Sequence, residues 1–118
     1  MTEYKVNQGW IKSQPENVQK MVRAIRRKLT LADLADVAEH GADAGWPGFT
    51  YYHETARFYA RHKEAIWELL WNDCQVYGLP NIPAMIGSFN SAVSTATEFE
   101  NLLVWLALET VARNIIEE

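Results

Sequence analysis

Residues 101–109, NLLVWLALE, decide the fold. Leu102, Leu103 and Leu106 fall at the spacings of one helical stripe, which Phe99 begins and Val111 and Ile115 extend. Val104, Trp105 and Leu108 put apolar groups on the other faces. A helix apolar on nearly all sides is normally enclosed by neighbours, so this segment reads as the central helix of a bundle. Its start is signalled twice: Thr95 and Thr97 each have a glutamate three residues on, Glu98 and Glu100.

Working outward, residues 51–77 form a long helical stretch with Thr50 as its cap. Ala56, Tyr59, Ile66, Leu69, Leu70, Cys74 and Tyr77 thread one face. Only His62 or Lys63 can fill the gap between Tyr59 and Ile66, which predicts a kink or break near Arg61–Lys63. Gly78 stops the helix and Pro80 follows it. Asn81 and Pro83 then open a short helix with Ile82, Met85, Ile86 and Phe89 on its apolar side. Residues 88–97, SFNSAVSTAT, read as a loop or a frayed helix.

Toward the N-terminus, Pro15 opens a helix capped by Ser13 or Gln14. Val18, Met21, Val22, Ile25 and Leu29 are its apolar stripe. Thr30 with Asp33 has the spacing of a capping box, and Gly41 suits the end of the helix that follows. Residues 1–12 read as a short extended segment with a turn at Asn7–Gly9, or as a terminal arm. The expectation is an all-α chain, 1–118 as a single compact domain of about five helices packed around the C-terminal one.

Composition narrows the function classes. The chain has 118 residues, 48% hydrophobic and 22% charged, an ordinary globular balance. Its single cysteine, Cys74, excludes an intrachain disulfide. The longest apolar run, Leu102–Leu108, is far below the roughly twenty residues of a membrane span, so a soluble, cytoplasmic protein is expected. Net charge is −4 and unevenly spread. Residues 1–29 hold seven basic and two acidic residues, net +5; residues 30–118 hold four against thirteen, net −9. The basic helix either packs beside acidic neighbours that neutralise it or meets a charged partner.

The remaining unusual stretch is residues 40–55, HGADAGWPGFTYYHET. Its histidines suggest a metal site from His40, Asp43 and His53, and with Glu54 a small metal-dependent enzyme. His53-Glu54 begins an HExxH pattern, but Arg57 stands where the second histidine is needed. On a continuous helix His53 and His62 fall on opposite faces. The glycines lack the lysine and hydroxyl of a phosphate loop, and no cofactor is expected. The aromatics have two readings: Trp46, Phe49 and Tyr52 contact a partner, or Trp46 and Phe49 turn inward and plug the bundle. Trp67 and Trp71, one turn apart, predict at least one outward-facing indole, and an exposed ridge favours a homodimer over a monomer.

Two charged surfaces complete the candidates. Arg23, Arg26, Arg27 and Lys28 suit a small DNA-binding regulator, although a pI near 5.4 argues against direct nucleic-acid binding. Residues 64–118 carry eight acids against Arg113 alone; there Glu64 and Glu68, with Trp71, offer an acidic surface to a basic groove on a partner. HGADAGWPGFTYYHET, with SFN and NLLVWLALE, resembles a family of small proteins carried by phages, plasmids and other mobile elements, over about residues 31–109. The resemblance implies a mobile-element origin and no chemistry. By analogy it suggests a non-enzymatic protein that binds a host complex, as anti-CRISPR and anti-restriction inhibitors do.

Overall fold

The computed structural model describes residues 4–41, 46–73 and 96–117, with the side chains of 73 and 96–99 left aside. Asp43, Cys74, the helix expected after Asn81 and most of the 88–97 segment lie outside the described residues. The order is β1 (Lys5–Val6), α1 (Gln8–Ser13), α2 (Glu16–Lys28), α3 (Leu31–His40), α4 (Tyr52–Asp73), α5 (Ala96–Ile115) and β2 (Ile116–Glu117).

The centre is α5. Leu103, Val104, Leu106, Ala107, Leu108, Val111, Ala112 and Ile115 are all buried, so no side of its second half faces water alone. It packs on α1, α3, α4 and β2. Each of its leucine, valine and isoleucine side chains, fully buried, contributes about 1.5–3 kcal/mol of transfer free energy. The expected stripe of α2 is buried entire, from Val18 to Leu29, and lies against α4. From α3, Leu34 and Val37 reach the core; Leu31 and Ala38 border it. All buried apolar residues described form one cluster.

Several boundaries follow the sequence signals and others correct them. Thr30 Oγ1 accepts the Asp33 N–H at 3.1 Å and Asp33 Oδ2 accepts the Thr30 N–H at 3.0 Å, closing the expected capping box. Gly41 ends α3 with φ 92°. The terminal arm is replaced by structure: Asn7 is not in a turn but caps α1, its Oδ1 accepting the Trp10 N–H at 3.1 Å. Its backbone N–H donates to Ile115 O at 2.7 Å, and β1 pairs antiparallel with β2, Val6 opposite Ile116. These long-range bonds tie the N-terminal segment to the end of α5.

Ser13 caps nothing on α2. Its hydroxyl donates to Trp10 O at 2.6 Å and closes α1, while Pro15 takes the cap position of α2 without a side-chain bond. Thr50 likewise is not the cap of α4. Its hydroxyl turns back to Trp46 O at 2.9 Å, and Tyr51 opens the helix with Glu54 Oε1 accepting its N–H at 3.1 Å. Within α4, His62 leaves helical dihedrals (φ −124°, ψ 22°), where the gap in the apolar stripe predicted a break.

Candidate functional site

The loop between α3 and α4 is built inward. Phe49 is 0% exposed, its N–H donates to Trp46 O at 2.8 Å, and its carbonyl accepts Trp105 Nε1 at 3.3 Å. Its ring meets Phe58 edge-on at 5.1 Å and 72°, and Phe58 in turn packs on His62 at 4.7 Å. Phe49 is therefore withdrawn as a partner contact: a ring enclosed by Phe58 and α5 cannot reach another molecule. Trp46 is half-buried against the core with Nε1 bonded to Gly41 O at 3.3 Å. Tyr51 and Tyr52 stay outside, 63% and 55% exposed.

The histidines do not converge. His40 is exposed and lies 3.7 Å from Glu39. His53 is exposed and stacks on Tyr51, 5.7 Å between centroids with 7° between planes. His62 is half-buried at the break in α4, so the continuous helix assumed for the pair does not exist. Among the described residues no group of three His, Cys, Asp or Glu side chains is placed to hold a metal ion.

The acidic and aromatic candidates of α4 share a face. Glu64, Glu68 and Trp71 follow the i, i+4, i+7 spacing of one helical row. Glu64 is exposed, Glu68 is half-buried and Trp71 is 63% exposed. Trp67, one turn before Trp71, packs on the core and donates Nε1 to Tyr59 Oη at 3.0 Å. The expected outward indole is thus Trp71.

Among the described residues the cations of α2 make no ion pair. The ion pairs among the described residues are Arg113–Glu109 at 2.8 Å and His40–Glu39; no carboxylate pairs with Arg23, Arg26, Arg27 or Lys28. Packing α2 on α4 adds Arg57 and Arg61 to these cations, around a cavity at the α4 break lined by Lys28, Gly48, Glu54, Arg57, Phe58, Arg61 and His62. Burial, Arg61 and Arg27, in that order, hold the His62 pKa below its ordinary 6.5. The sequence missed this cluster. The i, i+4 spacing of Arg57 and Arg61 was its one local signal, but their meeting with Lys28 depends on tertiary packing.

Among the described residues no helix is long and apolar enough to cross a membrane. A family model described as a domain of unknown function (DUF7222) matches residues 13–118, which spans α2 through β2. No curated protein and no solved structure matches the chain.

Proposed function

The chain belongs to the DUF7222 family, whose description assigns no activity, and on that premise we propose that it is a non-catalytic interaction protein that binds a larger host complex. The contact is made by the second half of α4. The observation that supports this reading is Trp71, 63% exposed in a row with Glu64 and Glu68. A large indole outside a core is an anchor of the kind that dominates binding hot spots. Two carboxylates beside it select a basic partner surface and steer its approach. The basic grooves of nucleic-acid-handling complexes have that character. With the mobile-element resemblance, this makes an inhibitor of a host defence complex of the anti-CRISPR or anti-restriction type, working in the host cytoplasm as monomer or homodimer.

The test is capture of a stoichiometric host partner by the purified protein, followed by titration with variants. Trp71→Ala is expected to weaken binding by about 2 kcal/mol, roughly thirtyfold in Kd. Glu64→Lys with Glu68→Lys should slow association and reverse its salt dependence. Unchanged binding by both variants, with unfolding midpoints intact, would sink the reading.

A further inference from the structure

A net charge of −4 does not describe the surface where α2 meets the first half of α4. There Lys28, Arg57, Arg61 and His62 surround a cavity of about 120 Å³. The one carboxylate on its wall, Glu54, is engaged as the cap of α4, accepting the Tyr51 N–H. No carboxylate among the described residues forms an ion pair with Lys28, Arg57 or Arg61. Among the described residues, three permanent cations against the single carboxylate of Glu54 leave the wall of this concave site net positive. Clefts lined by one sign of charge focus the field and concentrate ions of the other sign.

Lys28 is seated by the loop. Gly48 has φ 81°, and a Cβ there would stand 2.6 Å from Lys28 Cδ and 3.2 Å from its Nζ. Only a residue without a side chain lets the lysine lie across it. A cavity of this size admits a small group on the scale of a phosphate. Past Arg61 and His62, which line both, the surface opens into a second bay of about 480 Å³ bordered by Lys20, Lys63 and Glu64. On the other side, His53 precedes Arg57 by one turn and carries the stacked, exposed ring of Tyr51. Cations along a groove, with flat exposed rings beside them, match the needs of an unpaired strand: phosphates to neutralise and bases to stack.

We propose that the α2–α4 cleft binds single-stranded nucleic acid, one phosphate seated among Lys28, Arg57, Arg61 and His62 and the strand running on toward Lys20 and Lys63. This function differs from the protein contact proposed for Glu64, Glu68 and Trp71, which meets the bay only at Glu64, and either stands without the other. The low pI, which argues against such binding when averaged over the chain, loses its force once the cations are gathered on one side. A single strand suits the site better than a duplex because paired bases are not free to stack on Tyr51.

The experiment is fluorescence anisotropy of an end-labelled oligothymidylate titrated with the full chain at low salt. Saturable binding is expected, with log K falling against log salt by about 0.7 for each phosphate contacted. Arg57→Glu or Arg61→Glu should weaken it roughly tenfold or more, and Arg61→Gln should flatten the salt slope by about 0.7. Arg26→Glu, which lines a different groove between α1 and α2, and Trp71→Ala should leave binding within about threefold. Lys28→Glu repeats the test from α2 should the α4 variants not fold. Absence of binding at low salt overturns the proposal. So does an equal loss in Arg26→Glu, which would mean diffuse attraction without this cleft. Inorganic phosphate perturbing His62 in an NMR titration, with no oligonucleotide bound, reduces the cleft to a small-anion site and overturns the strand.

Discussion

The two halves of α4, before and after His62, bury similar faces and present opposite ones. Phe58 and Tyr59 enter the core from the first half; Ala65, Ile66, Leu69 and Leu70 enter it from the second. Outward, the first half carries His53, Arg57 and Arg61, and the second carries Glu64, Glu68 and Trp71. On an unbroken helix Arg61 and Glu64 would be neighbours at i, i+3, a spacing that lets opposite charges pair. Across the break at His62 they form no ion pair, though both border the larger bay. The interruption divides an arginine face, Arg57 and Arg61, from the Glu64, Glu68 and Trp71 row on one element, the two meeting at the larger bay. A net charge summed over the chain cannot report such an arrangement.

The largest disruption of this contrast comes from the residue that fastens the first half to the bundle. Phe49 links the loop to Phe58, to Trp105 and, through Phe58, to His62. Phe49→Ala is expected to cost about 3–5 kcal/mol, the range for emptying a buried phenylalanine site. Trp71→Ala, at an exposed site in the second half, should stay within about 0.5 kcal/mol. Urea unfolding midpoints of the two variants measure the difference. Equal losses would mean that Trp71 carries core packing and that the halves are less distinct than their exposure indicates.

The next effect separates the cation site from the fold. Gly48→Ala forces a side chain into positive φ and against Lys28 Cδ, at a cost of about 1–2 kcal/mol. Shortening the lysine in the double variant Gly48→Ala, Lys28→Ala should return part of the stability, because one of the two clashing groups is gone. Affinity for the oligothymidylate should not return, because the cation is gone as well. Recovery of both would show that Lys28 contributes shape and no charge.

Much of this was legible in the sequence where a local rule sufficed. The all-round apolar character of residues 101–109 placed α5 at the centre, the Thr30–Asp33 box started α3, and the missing apolar residue between Tyr59 and Ile66 located the break. What escaped depends on distant partners. Helix α1 is only six residues long and is held by Asn7 bonding to Asn114 and Ile115, more than a hundred positions away. Thr55 and Asn101 are both buried and hydrogen-bonded to each other across α4 and α5, yet each is a polar residue that a periodicity argument assigns to the surface. For the same reason the inward turn of Phe49 could be weighed but not decided, and the meeting of Lys28 with Arg57 and Arg61 was invisible.

The smallest effect tests the break itself. His62 has its pKa lowered by burial first, then by Arg61 and by Arg27. The charged groups around it are Lys20, Arg27 and Lys28 from α2 and Glu54, Arg57, Arg61, Lys63 and Glu64 from α4. In the unfolded chain its pKa returns to about 6.5, so below that value the unfolded state takes up the proton more readily than the folded one. The stability tied to neutral His62 is therefore present above about pH 6.5 and is lost as pH falls toward the lowered folded value. Partial exposure of the ring lets solvent screen much of the effect. His62→Gln removes the titrating group, so in thermal melts the parent should lose more stability than the variant between about pH 8 and about pH 5.5. Parallel loss in both would assign the acid sensitivity to carboxylates. A bound phosphate acts in the opposite direction. Its negative charge favours the imidazolium, so oligonucleotide binding should tighten over the same pH interval in which the free protein weakens, and His62→Gln should abolish both trends together.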